Sequence, residues 1–251
     1  MAGFLELPAR SGKPRDEGIT HVLDRGLSVT DIDSMVEVAG QAIDIVKLGW
    51  GTAVATGNLE RKLERYRHHG LPVVLGGTLT EVAISQGRLD RLVGWVRELG
   101  LSHIEISDGT IALEHRRKVE LIDQLAREFT VLSEVGSKDD TGAITPPYMW
   151  VEMMRAELAA GAWKVIAEGR EAGTAGIFRP TGEVREGLIG EIVHEIEPSR
   201  IMFDAPNKHQ QVWFLRRFGS EVNLSNVAAG DVLGVETLRL GLRSDTLGIG
   251  Q

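Results

Sequence analysis

The chain has no cysteine among its 251 residues. That absence excludes disulfide stapling, thiolate metal sites and cysteine nucleophiles, and it fits a reducing cytoplasm. Long apolar runs are missing as well, and none approaches the roughly 18 residues that suggest a membrane span. Residues 1–10 are too short and too mixed in polarity for a signal peptide. Positive charge is not in excess either: 28 Lys and Arg stand against 36 Asp and Glu, for a net charge of −8. Non-specific nucleic-acid binding needs a basic footprint and is thereby disfavoured, although a local basic cluster can still serve an anionic substrate. No GxGxxG, GxxxxGK[ST] or GxSxG pattern occurs, and the seven histidines show no HxxxH spacing. Nucleotide-loop, serine-hydrolase and zinc readings therefore lack local support.

What is present is the composition of a soluble globular protein, 42% hydrophobic and 25% charged, in a length that α/β barrels reach as one unit. Short β-rich runs alternate with helical stretches. Strands are predicted at 19–24 (ITHVLD), 43–49 (IDIVKLG), 72–77 (PVVLGG), 103–107 (HIEIS), 130–136 (TVLSEVG), 164–169 (KVIAEG), 200–206 (RIMFDAP) and 221–227 (EVNLSNV). Their spacing suits βα units. Helices are predicted at 59–69, 89–99, 114–129, 148–160, 188–196, 209–218 and 232–242. In 114–129 the apolar stripe is Val119, Ile122, Leu125 and Phe129; 148–160 follows Pro146-Pro147 and stops at Gly161. Eight such units predict a single-domain (β/α)8 TIM barrel over 1–251, with 1–18 as an N-terminal extension. A doubly wound open sheet is the alternative, but its usual glycine-rich nucleotide turn is absent.

Alternate residues of a strand face opposite sides. Ile45, Ile104, Ile106, Val131, Val165, Ile201 and Phe203 are assigned to the helix-facing side. Glu105, Glu134, Glu168 and Asp204 then face inward, with Asp24, Lys47 and Asn223 near the same strand ends. An ionised side chain in a dry interior is costly unless paired or bound to metal. The set therefore predicts a polar mouth at the C-terminal ends of the strands. Any single member, such as Lys47 beside a carboxylate, is equally read as a structural pair.

Several short motifs carry two readings each. Lys138, in EVGSKD after the fifth strand, is either a proton-transfer lysine near the mouth or a solvated loop residue. Arg170, in EGREAG after the sixth, offers a bidentate fork for phosphate, sulfonate or carboxylate, or a structural pair with a glutamate. Gly76-Gly77-Thr78 presents amides to an anion or turns the chain. Lys13-Pro14-Arg15 is solvated surface or reaches the anion site. Met149, Met153 and Met154 are read as helix packing.

Over nearly its whole length the sequence resembles the phosphosulfolactate synthase family, whose archaeal members act in coenzyme M biosynthesis. The resemblance is carried by 13–27 (KPRDEGITHVLDRGL), 44–52 (DIVKLGWGT), 76–81 (GGTLTE), 105–110 (EISDGT) and 134–138 (EVGSK). It continues through 168–173 (EGREAG), 205–213 (APNKHQQVW), 218–226 (FGSEVNLSN) and 236–246 (ETLRLGLRSDT). It implies a (β/α)8 barrel, Mg2+ dependence, homo-oligomeric assembly, and addition of sulfite to phosphoenolpyruvate, a carbon–sulfur lyase chemistry in the cytoplasm. The family's catalytic lysine matches Lys138. Where relatives often carry two lysines this chain has Ser137-Lys138, and DRGL replaces the usual DKGL, so one positive charge beside the catalytic position is gone. On this resemblance Lys47, Arg170, Lys208 and Asn223 are expected to bind the anionic substrates, and Glu105 and Glu134 the metal. Two other readings accompany it. One is a phosphoenolpyruvate-using lyase or transferase with a thiol or alcohol nucleophile. The other is a non-catalytic barrel like that of heat-stress relatives in plants, against which the charged mouth argues. Neither a nucleic acid nor a membrane is an expected partner.

Overall fold

The computed structural model describes residues 4–136 and 145–249. All eight predicted strands form: β1 (Thr20–Asp24), β2 (Ile45–Leu48), β3 (Val73–Leu75), β4 (His103–Ile106), β5 (Thr130–Val135), β6 (Lys164–Ala167), β7 (Ile201–Asp204) and β8 (Leu224–Ala228). Every pairing is parallel, in the hydrogen-bonded order β3-β2-β1-β8-β7-β6-β5-β4. The two ends of that order, β3 and β4, lie side by side, so the sheet curls into a nearly closed barrel. Side chains hold this seam. The Thr80 hydroxyl donates to the main-chain carbonyl of Glu105 at 2.7 Å, and the Gly77 N–H donates to Glu105 Oε1 at 2.6 Å. The barrel is the predicted one, and the open-sheet alternative falls.

Helices fill every interval: α1 (Val29–Ala39), α2 (Thr52–Ala55), α3 (Leu59–His68), α4 (Gly77–Ser85), α5 (Leu89–Glu98), α6 (His115–Leu125), α7 (Pro147–Ala159), α8 (Glu186–Glu195), α9 (Lys208–Phe218) and α10 (Val232–Arg239). Three of them, α1, α2 and α4, are additions to the sequence-based expectation. The signal for α1 was a capping box, in which Ser28 accepts from the Asp31 N–H and Asp31 answers the Ser28 N–H. Pro147 starts α7, as expected. In α6 the buried face is Lys118, Leu121, Ile122 and Leu125, one position away from the predicted stripe at its start, and Phe129 packs from beyond its end.

Strand alternation separates two cores. One face of each strand packs on the helices; the other meets at the barrel floor, where Ile19, Ile45, Val74, Leu132, Ile166 and Met202 form their own apolar cluster. Ile45 therefore does not face the helices as predicted. It shares a side with Lys47, two residues on, as the strand period requires. Between β1 and β8 the register slips by one residue, from Thr20↔Leu224 to Val22↔Val227, and Asn226 takes up the extra residue with φ 55°. The N-terminal arm crosses the opposite end of the barrel. Arg10 pairs with Glu221 and Glu236, Lys13 donates to the carbonyls of Gly40 and Ile43, and Arg15 holds Asp44 at 2.9 Å. Among the described residues no helix is long and apolar enough to cross a membrane.

The floor cluster is closed off from water and from the helices, so it has little freedom to collapse after truncation. Ile166→Ala is expected to lower unfolding free energy by about 2–5 kcal/mol. Urea denaturation followed by circular dichroism checks this; a loss near zero would show that the floor is loosely packed.

Candidate active site

Lys47, at the C-terminal end of β2, extends into the barrel and ends between two glutamates. Its Nζ is 2.8 Å from Glu105 Oε1 on β4 and 2.9 Å from Glu134 Oε1 on β5. Glu134 also belongs to a second group. With Glu168, just past β6, and Asp204, ending β7, it can offer carboxylate oxygens that all lie within 4.8 Å of one another. All five residues are buried. Glu105, Glu134 and Asp204 all act on the Lys47 ammonium, and Glu134 links it to the carboxylate triad.

The titration behaviour follows. Burial pushes the Glu105 carboxyl up to about 7, with Lys47 pulling it back and Glu134 adding to the rise. Burial raises Asp204 to about 6, reinforced by Glu134. Burial opposes charge on Lys47 too, but Glu105, Glu134 and Asp204 together outweigh it and hold the ammonium well above its ordinary range. His21, on β1 inside the barrel, is kept neutral by burial and by Lys47. Its Nδ1 lies 2.8 Å from the Ser225 hydroxyl.

Backbone and outer side chains fix these carboxylates. Gly77 N–H reaches Glu105 across the seam. A Cβ there would lie 2.6 Å from Ser107 Cβ and 3.0 Å from Glu105 Oε1, so only glycine allows the approach. Gly169 repeats the device one strand before Asp204: its N–H donates to Asp204 Oδ2 at 2.9 Å, and a Cβ would strike the Phe178 ring. From the helix side Lys118, fully buried, bonds Asp108 at 2.9 Å, Glu157 at 3.0 Å and the main-chain carbonyl of Glu134. Glu157 in turn accepts from Ser133 at 2.6 Å. Lys47 thus grips Glu134 from inside and Lys118 from outside.

Among the described residues three non-glycine residues adopt left-handed backbone: Trp50, Arg170 and Asn226, with φ 56°, 57° and 55°. They follow β2, follow β6 and sit within β8, all toward the mouth, where stored strain marks functional geometry. Arg25, in the loop after β1, places its guanidinium 5.3 Å from the Trp50 ring centroid.

The expected site residues separate into groups. Lys47, Glu105 and Glu134 come together at the mouth. Arg170 is there too, its N–H donating to Glu168 Oε1 at 2.6 Å. Lys208 begins α9, half-exposed, with Nζ 2.6 Å from Asp245, and is not drawn into the cluster. Lys138 lies outside the described residues. Asn223 is corrected: it precedes β8 at the N-terminal end, accepting from Ile19 N–H at 3.1 Å and donating to the carbonyls of Ser199 and Ile201. Asn226, three residues on, is the asparagine toward the mouth. Gly77 turns its amide to Glu105, not to an external anion. Lys13 and Arg15 sit at the far end of the barrel. Asp24 accepts from Tyr66 and Lys62 of α3, both at 2.7 Å, and is structural.

A hard divalent cation fits the second group. Such ions take carboxylate oxygens, and Asp204 Oδ1 is buried with no hydrogen-bond partner beside Glu134 and Glu168. Of the expected ligand pair, Glu134 belongs to this triad, whereas Glu105 gives Oε1 to Lys47 and the Gly77 N–H and keeps a buried Oε2 with no hydrogen-bond partner among the described residues. Glu168 and Asp204, predicted only as inward-facing, complete the triad.

Removing the Lys47 ammonium should be severe and pH-dependent. Lys47→Met is expected to cost about 3–5 kcal/mol at pH 8, and clearly less at pH 5, where Glu105 and Asp204 hold protons; urea melts at the two pH values decide. A second expectation concerns the carboxyl itself. Glu105 has its folded pKa raised from 4.5 to about 7, so the folded state binds the extra proton. The stability this contributes is complete below pH 4.5 and is lost as pH rises through 7, at a slope no greater than about 1.4 kcal/mol per pH unit. With a chelator present, Glu105→Gln should flatten that part of the profile; an unchanged slope would place the protonation elsewhere.

The sequence matches the (2R)-phospho-3-sulfolactate synthase family over residues 8–245. A phosphosulfolactate synthase of Bacillus subtilis (strain 168) is 40% identical over 244 residues, covering 96% of this chain and 97% of that protein. One from Methanothermobacter thermautotrophicus is 38% identical over 246 residues, covering 96% and 95%. Among solved structures, 3-hexulose-6-phosphate synthase from Salmonella typhimurium has a TM-score of 0.54 at 15% identity, covering 89% of this chain and 99% of that one; at such identity the likeness concerns the fold alone. With the family match spanning the barrel from its N-terminal arm to the turn after α10, the chain belongs to the phosphosulfolactate synthase family of enzymes.

Proposed function

We propose that this protein adds sulfite to phosphoenolpyruvate, forming a carbon–sulfur bond, with Mg2+ held by Glu134, Glu168 and Asp204. The observation that carries the reading is the buried carboxylate triad with an unpartnered Asp204 oxygen, in a chain of this family. When bound, magnesium supplies positive charge for the anions that gather there.

In the proposed reaction the sulfur lone pair of sulfite attacks the methylene carbon of phosphoenolpyruvate. The π electrons of the double bond move toward the carbon bearing phosphate and into the adjoining carboxylate. A proton delivered to that carbon completes the addition, and no group leaves. Lys138, by its match to the family motif, is the proton donor. Arg170 takes the phosphate with its guanidinium fork. An ammonium has three N–H donors; two of those on Lys47 serve Glu105 and Glu134, leaving one for the substrate carboxylate. Glu105 holds Lys47 in place from the side opposite Glu134. Lys208 is occupied by Asp245 and Asn223 by main chain, so neither is given a step.

Incubation of the protein with phosphoenolpyruvate, sulfite and Mg2+, followed by phosphorus NMR, should show a new phosphate-ester resonance that chelator abolishes. Lys138→Ala should lower kcat by about 10²- to 10⁴-fold with little change in KM for phosphoenolpyruvate, and Lys138→Arg should not restore it. Arg170→Ala should mainly raise KM. Turnover with a thiol or alcohol but not with sulfite would reject the nucleophile, and near-wild-type kcat in Lys138→Ala would reject the proton donor.

A further inference from the structure

The N-terminal end of the barrel holds a cavity of about 760 Å3, within the range of small-molecule sites. It lies under the apolar floor, at the opposite end of the strands from the mouth. Its wall includes the rings of His103, Phe129 and Trp163, with His103 set edge-on to Trp163 at 6.2 Å. Lys13 and Arg15 of the N-terminal arm and Arg200 before β7 complete it.

The cations here are unusual in how they are held. Lys13 ends on the carbonyls of Gly40 and Ile43, and Arg200 on those of Ala162 and Trp163, both at 3.2 Å. Lys164, whose Nζ lies 4.6 Å from the Trp163 ring centroid, donates to the Ser199 carbonyl at 2.7 Å. Among the described residues none of the three has a carboxylate within ion-pair distance. Of the acids on the wall, Asp44 is taken up by Arg15 and by the Thr20 N–H; Asp16 is exposed to solvent. Burial lowers the Lys164 ammonium to about 8, and Arg200 lowers it further against the pull of Asp16 and Glu17. Burial also lowers Lys13, opposed by Asp44 and helped by Arg15. Arg15 is paired with Asp44, whereas Lys13 and Arg200 on the cavity wall rest on neutral carbonyl oxygens, which in a chain of net charge −8 leaves their charge available to an anion.

We propose that this cavity binds a small organic anion, its apolar body against Trp163, His103 and Phe129 and its carboxylate, phosphate or sulfonate group at Lys13 and Arg200. Neither the aromatic wall nor the cations contribute to the mouth, so the site is independent of the reaction proposed there. An occupant would bridge the N-terminal arm to the barrel.

Anilinonaphthalene sulfonate, a flat aromatic anion, is the probe, titrated by fluorescence into the full chain. Saturable binding at one site per chain is expected. The affinity should fall by about tenfold or more in Lys13→Gln/Arg200→Gln, with kcat and KM unchanged in the absence of probe. Arg200→Gln alone, at an exposed position, serves if the double variant fails a circular-dichroism melt. Trp163→Leu should weaken the probe while leaving competition by inorganic sulfate intact. Equal affinity in the charge variants, or no saturation below about 1 mM, would each overturn the proposal.

Discussion

Lys47 is enclosed with Glu105 and Glu134 at 2.8 and 2.9 Å, and Glu168 and Asp204 share the same interior. A buried ammonium neutralises one carboxylate, and a second ionised carboxylate beside it in a low-dielectric interior is expensive. Two responses are built into the molecule. Protons are retained, with Glu105 raised to about 7 and Asp204 to about 6. Asp204 Oδ1 is also left without a hydrogen-bond partner among the described residues, in a place where a cation would fit beside Glu134 and Glu168. A cation held there would compete with the proton on Asp204, because carboxylate ligands must be deprotonated to coordinate.

Holding such a cluster requires rigid surroundings, and the barrel supplies them from three directions. The apolar floor of Ile19, Ile45, Val74, Leu132, Ile166 and Met202 supports it from below. Gly77 and Gly169 bring main-chain N–H groups against Glu105 and Asp204 from neighbouring strands. Lys118, Glu157 and Ser133 tie β5 to α6 and α7 from outside. An Asn, Arg or Trp in left-handed backbone persists only when its surroundings over-determine it, and that is the condition at the ends of β2, β6 and β8.

Much of this was legible in the sequence because strands have a period of two. Parity alone put Glu105, Glu134, Glu168 and Asp204 on one face, and the eight runs set the barrel. What parity does not contain is the stagger between strands, which decides that Glu134 converges with Glu168 and Asp204 while Glu105 is drawn to Lys47 and Gly77. The same limit explains Asn223. The run 221–227 holds two asparagines, and only the point where β8 joins the ladder, with its bulge, separates the one at the floor from the one toward the mouth. Lys118 escaped for a different reason. A helix stripe is read from apolar residues, and a lysine on the core face becomes visible only when α7 brings Glu157 to meet it. Ile45 was lost by assigning it against Lys47, although residues two apart must share a side.

Three consecutive strands repeat one pattern across the mouth. β5 ends near Glu134 and is followed four residues later by Lys138; β6 by Glu168 and then Arg170; β7 by Asp204 and then Lys208. The acid lies at the strand end, where alternation points it inward, and the base lies in or just beyond the loop that follows. An acidic interior alone would repel an anion, since like charges in a site shielded from water interact strongly. In sequence each acid is followed by a base that can offset it: the carboxylates suit a cation, and the basic side chains suit anions. Of the basic residues, Arg170 is bound to its own strand end through Glu168, whereas Lys208 is diverted to Asp245. The coupling at β6 is a main-chain one, in which the left-handed backbone of Arg170 turns its N–H back onto Glu168, a member of the carboxylate triad.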